Sequence, residues 1–194
     1  KQLYGQVVSL FSANPVSVEW GGGGVFYGRA GLLKRYGNGK DLGPTYGVLL
    51  DHLQLQGVVH VADDRKTAKA RFRALIMATF DMSNPGNAQW QGGVYENEYV
   101  REGGVWKLSK LEYKQSFSAP VDSNWIKDPL FSSCAMKDAD APTTWYHPYP
   151  ENALFPLHYP NPVTGKTVVA ATDPTHYWVG NWPGEFGQCG TVKR

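Results

Sequence analysis

Four long runs of alternating apolar and polar residues, joined by short turn-forming stretches, constrain this chain more than any other feature. Leu49 to Val61 is the first, turning at Asp63-Asp64, and Thr67 to Phe80 is the second, turning around Ser83-Asn-Pro-Gly86. Trp90 to Arg101 is the third, and Gly103-Gly104 makes a hairpin turn into the fourth, Val105 to Phe117. A period of two puts successive side chains on opposite faces of a strand, and a two-glycine link suits a tight hairpin. Upstream, Leu3, Val7, Leu10 and Phe11 recur at helical spacing until Asn14-Pro15. Val16 to Trp20 alternates as a short strand, Gly21 to Gly24 turns into Val25 to Tyr27, and Ala30 to Tyr36 forms a short helix. Leu32, Leu33 and Tyr36 point inward on that helix, which ends at Gly37 and Gly39. Helices followed by four sequential strands predict an α+β fold with a curved antiparallel sheet.

Composition divides the chain near residue 120. Ten of the 13 prolines fall in the last 75 residues, yet the same stretch carries Trp125, Trp145, Trp178 and Trp182. A solvated linker would not carry four tryptophans, so residues 120–194 are expected to pack as an extension on the 1–119 domain or on a neighbouring subunit. The first residues are already mid-pattern and begin with Lys1, so a first helix and further N-terminal sequence are expected upstream.

Several functional classes fall away. A formal charge of +2 and no Lys/Arg run longer than two leave no footprint for nucleic acid. No window approaches a membrane span. Two cysteines, Cys134 and Cys189, and no Asn-x-Ser/Thr site make the cytoplasm, with free thiols, the expected setting, although one bridge between them is conceivable chemically. Gly165-Lys166-Thr167 lacks the glycine of a phosphate loop, Gly21 to Gly24 lacks a dinucleotide frame, and no Gly-x-Ser-x-Gly occurs. His52 and His60 are separated by roughly 26 Å at about 3.3 Å per residue and cannot share an ion. His147 and His158 lie in a Pro-rich stretch without a carboxylate at ligand spacing, so no metal is expected.

The informative stretch is Asp51-His-Leu-Gln-Leu-Gln56, which aims His52, Gln54 and Gln56 one way and Leu53 and Leu55 the other. Such a polar face lines either solvent or a cavity, and a histidine there can exchange a proton near neutrality. Tyr95, Asn97 and Tyr99 share a face of the third strand, and Tyr113 lies on the fourth. Tyrosines on a cavity face can hold a substrate oxygen; otherwise they serve ordinary cross-strand packing.

Two segments resemble the SnoaL-like branch of the nuclear-transport-factor-2-like superfamily: His52-Leu-Gln-Leu-Gln-Gly-Val-Val-His-Val61 with Asp63-Asp-Arg-Lys-Thr-Ala-Lys-Ala-Arg71, and Gly93-Val-Tyr-Glu-Asn-Glu-Tyr-Val-Arg-Glu-Gly-Gly-Val-Trp-Lys-Leu108. Leu10-Phe11, Val18-Glu-Trp20 and Tyr27-Gly-Arg29 resemble the entry into that family's sheet. The resemblance covers roughly residues 1 to 120 and implies a cone-shaped curved sheet wrapped around helices, with a deep pocket and a homodimer or homotrimer. It includes scytalone and bile-acid dehydratases, a dehydrochlorinase, isomerases, polyketide cyclases, γ-formaldehyde lyases acting on lignin-derived dimers, and non-catalytic binders. What it implies here is a lyase without a cofactor, acting on a small aromatic, possibly lignin-derived, substrate; an isomerase or cyclase and a small-molecule binder are the alternatives. His52 matches the family's general base, which in the dehydratases pairs with an aspartate from the first helix. Asp51 cannot take that role, since it faces the other side of the strand. Tyr95 then joins His52 in catalysis, and Tyr27, Gln54, Asn97, Tyr113 and Trp125 contact substrate. The extension would cover the pocket mouth, or a partner's, through Trp125, Trp145, Tyr146 and Tyr149.

Overall fold

The computed structural model describes residues 2–36, 46–79, 88–128, 136–149 and 154–167. Helix α1 (Gln2–Ser9) leads to strand β1 (Ser17–Trp20), a 3-10 turn at Gly21–Gly23, strand β2 (Val25–Tyr27) and helix α2 (Gly28–Tyr36). The four long strands follow as β3 (Leu49–Val61), β4 (Thr67–Thr79), β5 (Gln89–Glu102) and β6 (Val105–Pro120). Glu102 pairs with Val105 across Gly103 and Gly104, whose φ values of +56° and +84° suit the two-residue hairpin. The turn expected at Ser83–Gly86, Gly37, Gly39, both cysteines, Trp178 and Trp182 lie outside the described residues.

The sheet order is β2-β1-β6-β5-β4-β3. The β3 to β6 meander is antiparallel throughout, as alternation and short turns require, but β1 runs parallel to β6, so the sheet is mixed rather than purely antiparallel. Hairpin logic fixes only sequential neighbours. β1 is separated from β6 by the whole meander, and nothing local in its sequence sets its direction.

One face of the sheet carries the helices. Val8 and Phe11 from the N-terminal segment and Leu32 from α2 pack with Val16 and Val18 against Leu108 and Leu111 of β6. Register places Val18 opposite Leu111 and Trp20 opposite Tyr113, so this inner face continues into Tyr113, Tyr95, Ala74, Ile76 and Ala78. On the inner side of β4 four of the six alternating residues are alanines, Ala68, Ala70, Ala74 and Ala78, all buried beside Phe72 and Ile76, while Lys69, Arg71 and Arg73 point outward. Those alanines leave room for the rings of the flanking strands to lean over β4. A flat sheet would separate β1 from β3 by four strand spacings, about 19 Å. Instead the rings of Trp20 and His52 lie 5.1 Å apart, so the sheet curls until its inner face closes on itself.

The outer face is charged and covered by residues 139–149 and 154–160. Ala141 bridges to Val25, and the Tyr149 N–H donates to the Ser116 carbonyl at 2.6 Å. Glu19 and Lys114 are 3% and 4% exposed, and their 2.7 Å ion pair is completed by Thr144 and by Glu112, 2.8 Å from the same ammonium. Burial pushes the Glu19 carboxyl up, but Lys114 with Thr143 and Thr144 more than reverses this and holds it below the usual carboxylate value. Among the described residues no helix is long and apolar enough to cross a membrane.

Candidate active site

His52 sits on β3 opposite Ile76, and Tyr95 sits on β5 opposite both Phe72 of β4 and Tyr113 of β6. All belong to the inner face, and the curl of the sheet brings His52 Nδ1 to 3.1 Å from the Tyr95 hydroxyl. The ring of Trp20 lies 5.1 Å from His52, 6.1 Å from Tyr95 and 5.0 Å from Tyr113, and the two tyrosine rings are 5.0 Å apart. A glycine makes this packing possible. A Cβ on Gly93 would stand 2.6 Å from the Tyr113 ring and even closer to the Lys114 carbonyl oxygen.

Arg35, near the end of α2, completes the cluster. Its guanidinium carbon lies 5.5 Å over the Trp20 ring and 5.0 Å over the Tyr36 ring. Burial and then the Arg35 charge push the His52 imidazole below its ordinary value, against a smaller opposing effect of Asp51. Burial pushes the Tyr95 and Tyr113 phenols far up, so both stay protonated donors at neutral pH. The Tyr113 hydroxyl and Arg35 Nε are buried without a hydrogen-bond partner. The result is a neutral imidazole, two phenolic donors and a cation within an aromatic enclosure. That arrangement can accept a proton and stabilise charge developing on an oxygen.

Of the residues singled out in the sequence, His52, Tyr95 and Tyr113 come together. Gln54 shares their face two residues along β3, opposite Ala74, and is exposed. Gln56 does not continue that face, because it sits in a bulge between Leu55 and Val58 with φ +50°. Asn97 is buried, with its side-chain amide spent on the Glu112 N–H and the Tyr99 hydroxyl. Tyr27 and Trp125 lie elsewhere, which corrects their expected placement. Tyr27 pairs with Ser17, itself opposite Lys110, so it belongs to the outer face and is 52% exposed. Trp125 stacks on Phe117 at 5.1 Å, and Phe117 pairs with Gly92 on the same outer side as Leu75. Trp145 lines an outer groove as well, whereas Tyr146 lies close enough to Tyr113 to act on its phenol. No carboxylate hydrogen-bonds His52 among the described residues, and α1 contains no acidic residue. Trp20, Arg35 and Tyr36 were not singled out for the site. Helical spacing carried a signal for two of them, since Arg35 and Tyr36 fall three and four residues after fully buried Leu32.

On the outer face a groove of about 880 Å³ and a cleft of about 390 Å³ lie beneath the extension. The cleft carries an acid–base pair, Glu96 and His158, at 2.7 Å. Both His158 nitrogens are committed, however, Nδ1 to Glu96 and Nε2 to His60 at 2.8 Å, which leaves no lone pair for a substrate proton. His52 keeps one nitrogen without a hydrogen-bond partner among the described residues. The inner cluster is therefore the candidate site. Among the described residues, no group of three or more His, Cys, Asp or Glu side chains is placed to hold a metal ion.

Comparison with known proteins supports the architecture. A profile of the SnoaL-like domain family matches residues 1–112 of the 194. A scytalone-dehydratase-like protein from Novosphingobium aromaticivorans DSM 12444 superposes with a TM-score of 0.51 at 16% identity, over 62% of this chain and 76% of that one. The hexachlorocyclohexane dehydrochlorinase LinA type 2 superposes with a TM-score of 0.50 at 21% identity, over 63% and 78%. At these identities the likeness is one of fold. Among curated proteins, no sequence matches.

Proposed function

The chain belongs to the SnoaL-like domain family, and we propose that it is a cofactor-independent lyase acting on a small aromatic substrate at the inner-face cluster. The observation that carries this reading is the His52–Tyr95 contact at 3.1 Å inside an aromatic enclosure, with one imidazole nitrogen left without a partner. The dehydratase-like and dehydrochlorinase neighbours support the same class of reaction.

In this mechanism His52 Nδ1–H donates to the Tyr95 oxygen, and Nε2 carries the lone pair that takes the substrate proton. That tautomer also frees the Tyr95 O–H to donate to a carbonyl or phenolic oxygen of the substrate, alongside the Tyr113 O–H. In a dehydration the C–H electrons become the new π bond, the C–O bond breaks, and the proton on His52 leaves with hydroxide as water. In a formaldehyde-releasing reaction His52 takes the proton of a hydroxymethyl group, the C–C bond breaks with its electrons forming a new π bond, the C–O bond on the next carbon breaks, and that hydroxide leaves with the His52 proton as water. Tyr95 takes the partnering role that an aspartate plays in the dehydratases. The apolar enclosure strengthens every one of these hydrogen bonds by keeping water out.

Self-association belongs to the same proposal. Edge strand β3 exposes Leu49, Leu50, Leu53, Leu55, Val59 and Val61, an apolar strip that a second copy would bury. Sedimentation analysis should show a dimer or trimer; a monomer at micromolar concentration would contradict this.

Mass spectrometry of pooled phenolic and hydroxylated aromatic compounds, incubated with wild type and with His52→Ala, tests the reaction. A His52-dependent loss of water or formaldehyde is expected. Unchanged masses with compounds retained on the protein would overturn the lyase in favour of a binder, and unchanged masses with altered retention times would point to an isomerase.

A further inference from the structure

We propose that Arg35 is an anion-binding residue and that the substrate of the inner-face site carries a carboxylate. This rests on the reading that aromatic compounds occupy that site.

Two cations, one on each face of the sheet, are treated differently. Lys114 on the outer face sits between two carboxylates, Glu19 and Glu112, at 2.7 and 2.8 Å. Arg35 on the inner face has no ion pair and no hydrogen bond among the described residues, and its Nε is buried without a partner. Its contacts are the faces of Trp20 and Tyr36. Stacking of this kind directs a guanidinium but does not neutralise it. A partly buried charge left in that state is costly, and the cost is recovered when a ligand brings the opposite charge.

The guanidinium fork matches the two oxygens of a carboxylate, which it binds bidentately. A carboxylate is also ionised throughout the neutral range, whereas a phenol is not. Two further observations point the same way. The Tyr113 hydroxyl is buried without a partner beside the same Trp20 ring, offering a donor for a second oxygen of the ligand. Arg35 also lies close enough to hold down the proton affinity of His52. A bound carboxylate would cancel that effect, so His52 becomes a stronger base once the site is filled. Substrate recognition and base strength are thereby linked through one side chain.

The test is binding, which needs no turnover. At about pH 8, where His52 is neutral, 4-hydroxycinnamate and its methyl ester are titrated by calorimetry into wild type, Arg35→Gln, Arg35→Lys and His52→Ala. The acid should bind wild type at least about tenfold more tightly than the ester, the scale of one charge-assisted contact. Arg35→Gln should lose that preference by weakening the acid while leaving the ester unchanged. Arg35→Lys, which keeps the charge, should retain part of the preference, and His52→Ala should retain all of it. Equal binding of acid and ester by wild type, or a preference that survives Arg35→Gln, would overturn the proposal. If Arg35→Gln misfolds, Arg35→Lys decides, and a folded Arg35→Lys without any acid preference overturns it. Should neither compound bind wild type, the aromatic-substrate reading falls and takes this one with it; should both bind alike, only the anion site falls.

Discussion

The two faces of one sheet handle polar groups in opposite ways. On the outer face Lys114 bonds Glu19, Glu112 and Thr144, Lys110 bonds Glu112, Lys69 meets Glu98, and His158 is held from both ends. The outer atoms left without partners belong to Glu96 and Arg71, which already hold His158 and Tyr159 through other atoms. On the inner face Tyr113 has no hydrogen bond for its hydroxyl, Arg35 has no counter-ion among the described residues, and His52 has a single hydrogen bond among them, to Tyr95. A satisfied network holds elements in place, and here it fastens the extension to the sheet. An unsatisfied one costs stability and is retained where a ligand completes it. Saturation therefore separates the two faces: the outer network is structural in character, and the inner cluster is the proposed seat of the chemistry.

Variants on each side break this contrast in different currencies. His52→Ala should lower turnover by about 10²- to 10⁴-fold, the usual contribution of a positioned base, while leaving thermal unfolding nearly unchanged; steady-state rates and a melting curve together check both halves. Lys114→Met should do the reverse. It leaves Glu19 buried without its cation, Glu112 keeping Lys110, and chemical denaturation should report a loss of about 3–5 kcal/mol, with turnover per folded molecule preserved. Gly93→Ala reports on both faces at once, because its methyl group meets a carbonyl oxygen that cannot yield and the Tyr113 ring that must. The expected destabilisation is about 1–3 kcal/mol, accompanied by a fall in kcat as Tyr113 is displaced. Thr144→Val should be the mildest. It removes hydroxyl bonds to Glu19 and Lys114 but not the ion pair, at about 1 kcal/mol by denaturation, and no change in activity.

Much of this was legible from residues alone, and the limits have physical causes. The four-strand meander follows from alternation and turn chemistry, which are local. That His52, Tyr95 and Tyr113 share one face was readable because each follows a polar or aromatic period on a strand whose inner side is fixed by neighbours such as Ala74 and Ile76. Tyr27 and Trp125 were misplaced because a residue's face depends on register with a distant strand, Ser17 against Lys110 in one instance and Gly92 against Phe117 in the other. The parallel β1–β6 pairing is non-local in the same sense. Arg35 and Trp20 enter the site only because the sheet curls enough to bring β1 and α2 over β3, and curvature leaves no mark in a single segment. The outer position of the extension was equally hidden, since its anchors, Thr143, Thr144 and His158, look like ordinary loop residues.

Protonation offers the sharpest view of the inner face. His52 has a folded-state pKa below its ordinary value of 6.5. As pH falls through that value the unfolded chain takes up the proton first, so the His52 contribution to stability is present above 6.5 and lost on acidification. Activity should follow the same group, because the base must be neutral to accept a proton.

Following the imidazole resonances of His52 by NMR across pH, beside the pH dependence of kcat/KM, therefore tests the central claim most directly. The expected result is a His52 titration below 6.5 that coincides with the acid limb of kcat/KM, with both moving upward together when Arg35 is replaced by Leu. An acid limb that ignores the His52 titration, or one that persists unchanged in His52→Ala, would show that the proton is taken elsewhere.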